Sequence, residues 1–170
     1  MIKKILLAVL LAAPMCLSAQ TLKFGTVNTQ EVFNIMPDKA TAENTLRETA
    51  AKYDAEGKKL QEAFAQLQAE YEKLEADAAT PKAIKDRRMQ ELQETYQKIQ
   101  NFQQTAGQEL QRTQETLLAP IMDKLQSAIK AVGAEGGYTF IYDMSTGVVL
   151  YAGAGAEDVT PKVKEKLGIK

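Results

Sequence analysis

Between Ala40 and Ala79 apolar residues return every seven positions, at Leu46, Tyr53, Leu60, Leu67 and Leu74. Four residues after each stand Ala50, Gly57, Phe64, Tyr71 and Ala78, while Glu, Gln and Lys occupy most other places. Heptads with two seam positions predict a coiled-coil helix, because a globular amphipathic helix shows a wider apolar stripe and rarely runs so long. A second repeat comes after it, with Met89, Leu92, Tyr96, Ile99, Ala106, Leu110, Thr113 and Leu117 stepping by three and four and Gln103 in a polar slot. Pro120 is expected to end or bend this helix, since an interior proline loses a hydrogen bond and clashes with the preceding turn. Beyond it Ile121, Leu125, Ala128, Ile129 and Val132 broaden the stripe, as in a helix buried in a globular core.

The two repeats are separated by ADAATPKAIKDRR, Ala76 to Arg88. This stretch is either the kinked middle of one rod or the tip of a hairpin. Thr80 is placed to cap a new helix with Pro81 at its first position, where proline is preferred, and Pro81 pushes Thr80 away from helical angles. The tip reading, with the turn near residues 79–82, is favoured because the pieces at both chain ends are β-like and need one another. Leu22 to Val27 reads as a strand, with Asn28 after it as a helix cap and Glu31 three residues on. Gly133, Gly136 and Gly137 should stop the long helix. Tyr138–Tyr142 and Val148–Tyr151 read as a β-hairpin around Ser145-Thr146-Gly147, and Thr160-Pro161 opens a last helix reaching about Leu167. The expected architecture is therefore mostly α with a small β part. A helical hairpin over 40–117 projects from a β-rich head made of 20–39 plus 118–170. An arm from Ala40 to Ala79 would span roughly 60 Å.

Composition narrows the function. Lys3 and Lys4, the apolar run Ile5–Ala13 and the small residue at Ala19 make residues 1–19 a secretory signal peptide, with a lipoprotein anchor on Cys16 as the alternative. Cleavage after Ala19 removes the chain's one cysteine and leaves 19 basic against 22 acidic residues, a net charge of −3. That balance argues against nucleic acid as a partner. With no histidine and no mature cysteine, most metal sites and nucleophile–base pairs are excluded. No Gly-rich phosphate loop is present, and the many carboxylates lie on coil faces without a pocket to separate their pKa values. Neither an enzyme nor a cofactor or metal binder is expected. A head of about seventy residues without disulfides is small for independent stability, and its strand edges at Leu22–Val27 and Val148–Tyr151 would sit open, so oligomerisation through the head is expected.

The arrangement resembles the Skp/OmpH family of periplasmic chaperones. The resemblance rests on the opening Gly25-Thr26-Val27-Asn28-Thr29-Gln30-Glu31-Val32-Phe33, the long helical hairpin, and the closing segment. That segment runs from Ile121 through Ile129-Lys130-Ala131-Val132 and Phe140-Ile141-Tyr142-Asp143 to Asp158-Val159-Thr160. It implies a homotrimer whose helical tentacles surround a cavity, holding unfolded outer-membrane proteins in the periplasm without ATP. Well-known members are markedly basic, whereas this chain is mildly acidic, which puts binding to lipopolysaccharide in doubt. The rival reading is a periplasmic coiled-coil adaptor or tether that docks a folded partner through the hairpin tip.

Three groups of residues are candidates for these roles. Phe24, Val27, Phe140, Ile141, Val149 and Leu150 are assigned to the trimerisation head. Ile84 and Phe102, read as lying off the seam, and Met89 are candidates for client contact, against the plainer reading of ordinary surface or seam residues. Lys73, Lys82, Lys85, Arg87 and Arg88 form a basic patch at the tip. It is either a solvated end that opposes aggregation or a site of electrostatic capture of acidic clients or, transiently, of an anionic membrane surface.

Overall fold

The computed structural model describes residues 22–169; the signal-peptide reading of residues 1–19 lies outside them. The elements in order are β1 (Phe24–Val27), α1 (Thr29–Ile35), α2 (Pro37–Ala76), α3 (Lys82–Gly136), β2 (Phe140–Asp143), β3 (Ala156–Asp158) and α4 (Thr160–Lys166). Helices α2 and α3, 40 and 55 residues long, form an antiparallel hairpin that turns at residues 77–81. Asn28 starts α1 as expected, its Oδ1 accepting from the Glu31 N–H at 3.0 Å. Only half of a capping box forms, because the Asn28 N–H donates to the Thr160 hydroxyl at 3.0 Å and the Glu31 side chain pairs with Lys164. Pro37 holds Met36 extended (φ −65°, ψ 126°), which separates α1 from α2 and starts the arm three residues earlier than the heptads indicate.

Three sequence expectations are corrected. Pro120 does not end the helix: α3 runs through it to Gly136. The carbonyl that loses its donor belongs to Thr116, an exposed residue, so water can take that bond. The helix is held on both sides, by the arm before Pro120 and by the core after it. Second, Thr80 does not cap α3 with its side chain; its hydroxyl donates to Asp77 Oδ2 at 2.9 Å instead. Third, the hairpin of 138–142 with 148–151 is absent. The sheet order is β2-β1-β3 and both pairings are parallel, Phe24 facing Phe140 on one side and Ala156 on the other. β1 is therefore the central strand, and the Leu22–Val27 edge expected to lie open is covered on both sides. The turn at Ser145-Thr146-Gly147 does form, with the Ser145 N–H on Asp143 Oδ1 at 2.9 Å and Gly147 at φ 70°. Residues 148–151 do not pair with β2: because β3 also runs parallel to β1, this stretch lies on the path that carries the chain from the end of β2 back to the start of β3.

The core lies where these strands meet the helices. Val27, Val32, Met36, Ala42, Ile121, Leu125, Ala128, Val132, Val159 and Val163 form one buried cluster drawn from β1, α1, both arm helices and α4. Gly25 is needed for the close approach: a Cβ there would sit 3.1–3.3 Å from Ile141, Tyr138 and Val159. Of the three glycines expected to stop α3, Gly137 does so. It adopts φ 64°, with its N–H on Ala134 and the Tyr138 N–H on Gly133, a Schellman closure.

Space around the helical glycines separates two substitutions. A Cβ at Gly57 would meet Phe102 at an ordinary 3.5 Å, whereas one at Gly136 would come within 2.2 Å of the Tyr138 ring. Gly57→Ala should stabilise the fold by about 1 kcal/mol through helix propensity. Gly136→Ala should destabilise it although it also replaces a helical glycine. Urea unfolding followed by circular dichroism checks both signs, and equal effects would contradict the packing described.

Candidate functional site

The arm seam on α2 follows the heptads: Leu46, Ala50, Tyr53, Gly57, Leu60, Phe64, Leu67, Tyr71 and Leu74 are all half-buried, and only Ala78 falls in the turn and is exposed. On α3 the seam differs from the sequence reading. Leu92, Thr95, Ile99, Phe102 and Ala106 face α2, while Gln103 and Tyr96 are exposed. Phe102 is therefore a seam residue, tilted against Tyr53 at 6.2 Å between ring centres and filling the space beside Gly57. Its assignment as an off-seam side chain is corrected: Leu92, Ile99 and Ala106 hold their expected places, while the alternate positions read at Tyr96 and Gln103 fall one residue earlier, at Thr95 and Phe102. Met89 and Tyr96 lie on the flank of the hairpin, with Tyr96 against Phe64 at 6.2 Å. Ile84 is about half exposed near the tip.

The tip turn is organised by Asp77. Its carboxylate accepts from the Ala79 N–H and the Thr80 hydroxyl, each at 2.9 Å, and these bonds hold its pKa below the ordinary carboxylate value. Lys85 reaches across to the Glu75 carbonyl at 3.0 Å, satisfying a carbonyl at the end of α2. The other tip cations are committed within the arm. Lys82 pairs with Asp86, Arg87 with Glu91, and Arg88 with both Glu70 and Glu91. Lys73 sits in the last turn of α2, where a positive charge complements the helix dipole. From Glu70 to Glu91 there are 6 acidic and 5 basic residues, so the tip is charge-balanced.

At the other end, strand alternation divides the head candidates. Phe24, Phe140 and Tyr142 share the outer face of the sheet, their rings stacked with centres 6.0–6.5 Å apart. Phe140 and Tyr142 are exposed, and Val149 lines a groove of about 470 Å³ beside them with Tyr151, Ala152 and Gly153. Leu150 is 93% exposed and Val148 is 82% exposed, values that identify an uncovered apolar segment. Val27 and Ile141 point the other way. Val27 is buried in the core cluster, and Ile141 is half-buried and packs against it. The sequence reading missed Val148, Tyr142 and Tyr151; the two-residue period of Phe140–Asp143 would have paired Tyr142 with Phe140.

A polar cluster closes the inner side of the head. Glu157 accepts from Lys162 at 2.6 Å and from the Tyr138 hydroxyl at 2.5 Å, with Lys23 at 3.4 Å. Lys23 also lies over the Tyr138 ring at 4.0 Å and donates to the Gly136 carbonyl at 3.1 Å. These donors, Lys162 first and Tyr138 next, hold the Glu157 carboxyl at about 2. Burial raises the pKa of Asp143, but bonds from the Thr29 hydroxyl and from Ser145 outweigh it and the net shift is downward. Both groups have a folded pKa below the unfolded one, so each contributes stability above the ordinary carboxylate range and loses it as pH falls through the folded value. Glu157→Gln should therefore flatten the fall in thermal midpoint between about pH 4.5 and pH 2. An unchanged pH profile in that variant would show that the cluster does not couple to folding.

The chain matches the family model described as outer membrane protein (OmpH-like) over residues 23–167. It is 26% identical over 151 residues to the chaperone protein Skp of Yersinia enterocolitica, covering 88% of each chain. To the chaperone protein Skp of Pectobacterium atrosepticum it is 26% identical over 146 residues, covering 85% of each. The match takes in β1, both arm helices, the remaining strands and α4. By sequence across its length and by the hairpin-and-sheet fold, this chain belongs to the OmpH-like family.

Proposed function

We propose that the protein is an ATP-independent periplasmic holdase that binds unfolded outer-membrane proteins between the arms of a homotrimer and keeps them from aggregating. The observation that supports it most is the extent of the arm beyond the core, in a chain that shares most of its length with relatives named as chaperones. The buried cluster takes from α2 only its first turns, through Ala42, and from α3 only residues from Ile121 on. The remaining helix pair stands clear of the core, with a seam that is half-buried for most of its length. Such a pair is held by modest packing and can bend around clients of different size. A holdase needs no catalytic residue, and none is assigned.

The uncovered head surface supports self-association. Phe140 and Tyr142 are exposed on the outer face of a sheet whose outer edges are unpaired among the described residues, Tyr151 lines the groove beside them, and Val148 and Leu150 are exposed in the same segment as Tyr151. Contiguous apolar surface of this kind marks an interface. Export by a cleaved signal peptide over residues 1–19 completes the reading.

The test is aggregation of denatured outer-membrane barrels on dilution from urea, followed by light scattering. Stoichiometric protein, without ATP, should suppress scattering for several unrelated barrels, and native mass measurement should give three copies. Leu150→Asp with Phe140→Asp should lower the mass toward one copy. No suppression at stoichiometric amounts would overturn the holdase reading; tight binding to a single folded partner through the tip would favour the adaptor.

A further inference from the structure

One flank of the arm carries a cleft of about 420 Å³ whose apolar walls are Phe64, Tyr71, Met89, Leu92 and Tyr96. That size lies within the roughly 300–1,000 Å³ of ligand pockets. Methionine beside aromatic rings makes an adaptable wall, because its thioether chain re-packs around guests of different shape. Met89 is 38% exposed and Tyr96 is 53% exposed, so the walls open to solvent.

The polar groups of the cleft select the guest. Gln68 and Gln93 line it, and their amides offer both donors and acceptors to the backbone of an extended segment. Glu72 is the charged residue of the lining, its Oε1 accepting from Gln68 at 3.3 Å. Two further carboxylates lie close to Tyr71. Partial desolvation, together with Glu75 and Asp86, pushes the Tyr71 phenol above its ordinary value. Of the nearby cations, Lys82 pairs with Asp86, so that each offsets the other's charge, and Lys85 donates to the Glu75 carbonyl. Arg87 and Arg88 line a separate groove with Glu91, Ala83 and Ile84. The cleft thus joins an apolar floor to a single charged lining group, the Glu72 carboxylate.

We propose that this cleft binds unfolded polypeptide in extended form, taking an aromatic or large aliphatic side chain that has a lysine or arginine beside it. The inference rests on the chaperone reading and adds to it a preference for local sequence. It places selectivity for basic-flanked apolar residues on a chain whose own net charge is acidic.

Two short labelled peptides test it on the full-length mature protein by fluorescence anisotropy. Both carry a central tyrosine, flanked by lysines in one and by glutamates in the other. The lysine peptide should bind about threefold tighter at low salt, an advantage that fades as salt rises. Glu72→Lys should reverse the order. Glu62→Lys, the same change at another exposed site on α2, should preserve it. Tyr96→Ala combined with Met89→Ala should weaken both peptides by on the order of tenfold. The proposal is overturned if the order survives Glu72→Lys, if the double variant binds as well as the unchanged protein, or if neither peptide binds. A fall in native mass for the double variant would assign the cleft to contact between copies and overturn it too. Aggregation suppression measured on the same samples keeps the two readings apart. Suppression without any peptide preference removes the cleft proposal and leaves the holdase standing.

Discussion

The position of β1 at the centre of the sheet constrains everything else. Four residues near the start of the chain pair with β2 on one edge and β3 on the other, both from the last third of the sequence. The Lys23 N–H meets the Thr139 hydroxyl across 116 residues of chain. Whatever lies between must leave the sheet and come back to it, and a long heptad-patterned segment can do so only as two antiparallel helices with a turn at mid-length. The arm is thus the geometric consequence of a strand order that a local hairpin would not have required. The core shows the same logic, since its buried residues come from both ends of the sequence and from the two helix bases that join them.

Much of this is legible in the sequence because the signals are periodic and local. Seven-residue spacing on α2 names its seam residue by residue, and Asn28, Gly137 and Pro161 mark helix ends by chemistry that does not depend on distant contacts. The sequence misleads where tertiary pairing decides the outcome. Val148–Tyr151 has the composition of a strand, but the parallel pairing of β3 with β1 makes it part of the return path between β2 and β3, a role set by distant partners. Pro120 carries a breaking signal that packing on both sides overrides. On α3, apolar Met89 and Tyr96 are spaced as seam residues while the true seam includes Thr95, so a pattern built on apolar type alone slips by one position.

The sites show a parallel division. Charge at the tip is legible as composition, yet its meaning depends on partners: carboxylates at Asp86, Glu91 and Glu70 turn a basic run into a balanced one. Val27 and Phe24 are both apolar residues of one strand, and only the pleat places one in the core and the other on the outer face. The flank cleft has no linear signature at all, since its walls come from two helices that run in opposite directions.

The strand order also bears on the sequence of events in folding. A chain made from its N-terminus presents β1 first and its two partners last, so the sheet cannot assemble while the middle is still loose. Zipping the heptads brings residues near 40 and 117 together and shortens the open loop that must close before β1 meets β2, which lowers the entropic cost of that step. The hairpin that reaches outward in the finished molecule is, during folding, the device that draws the two ends of the chain within reach of each other.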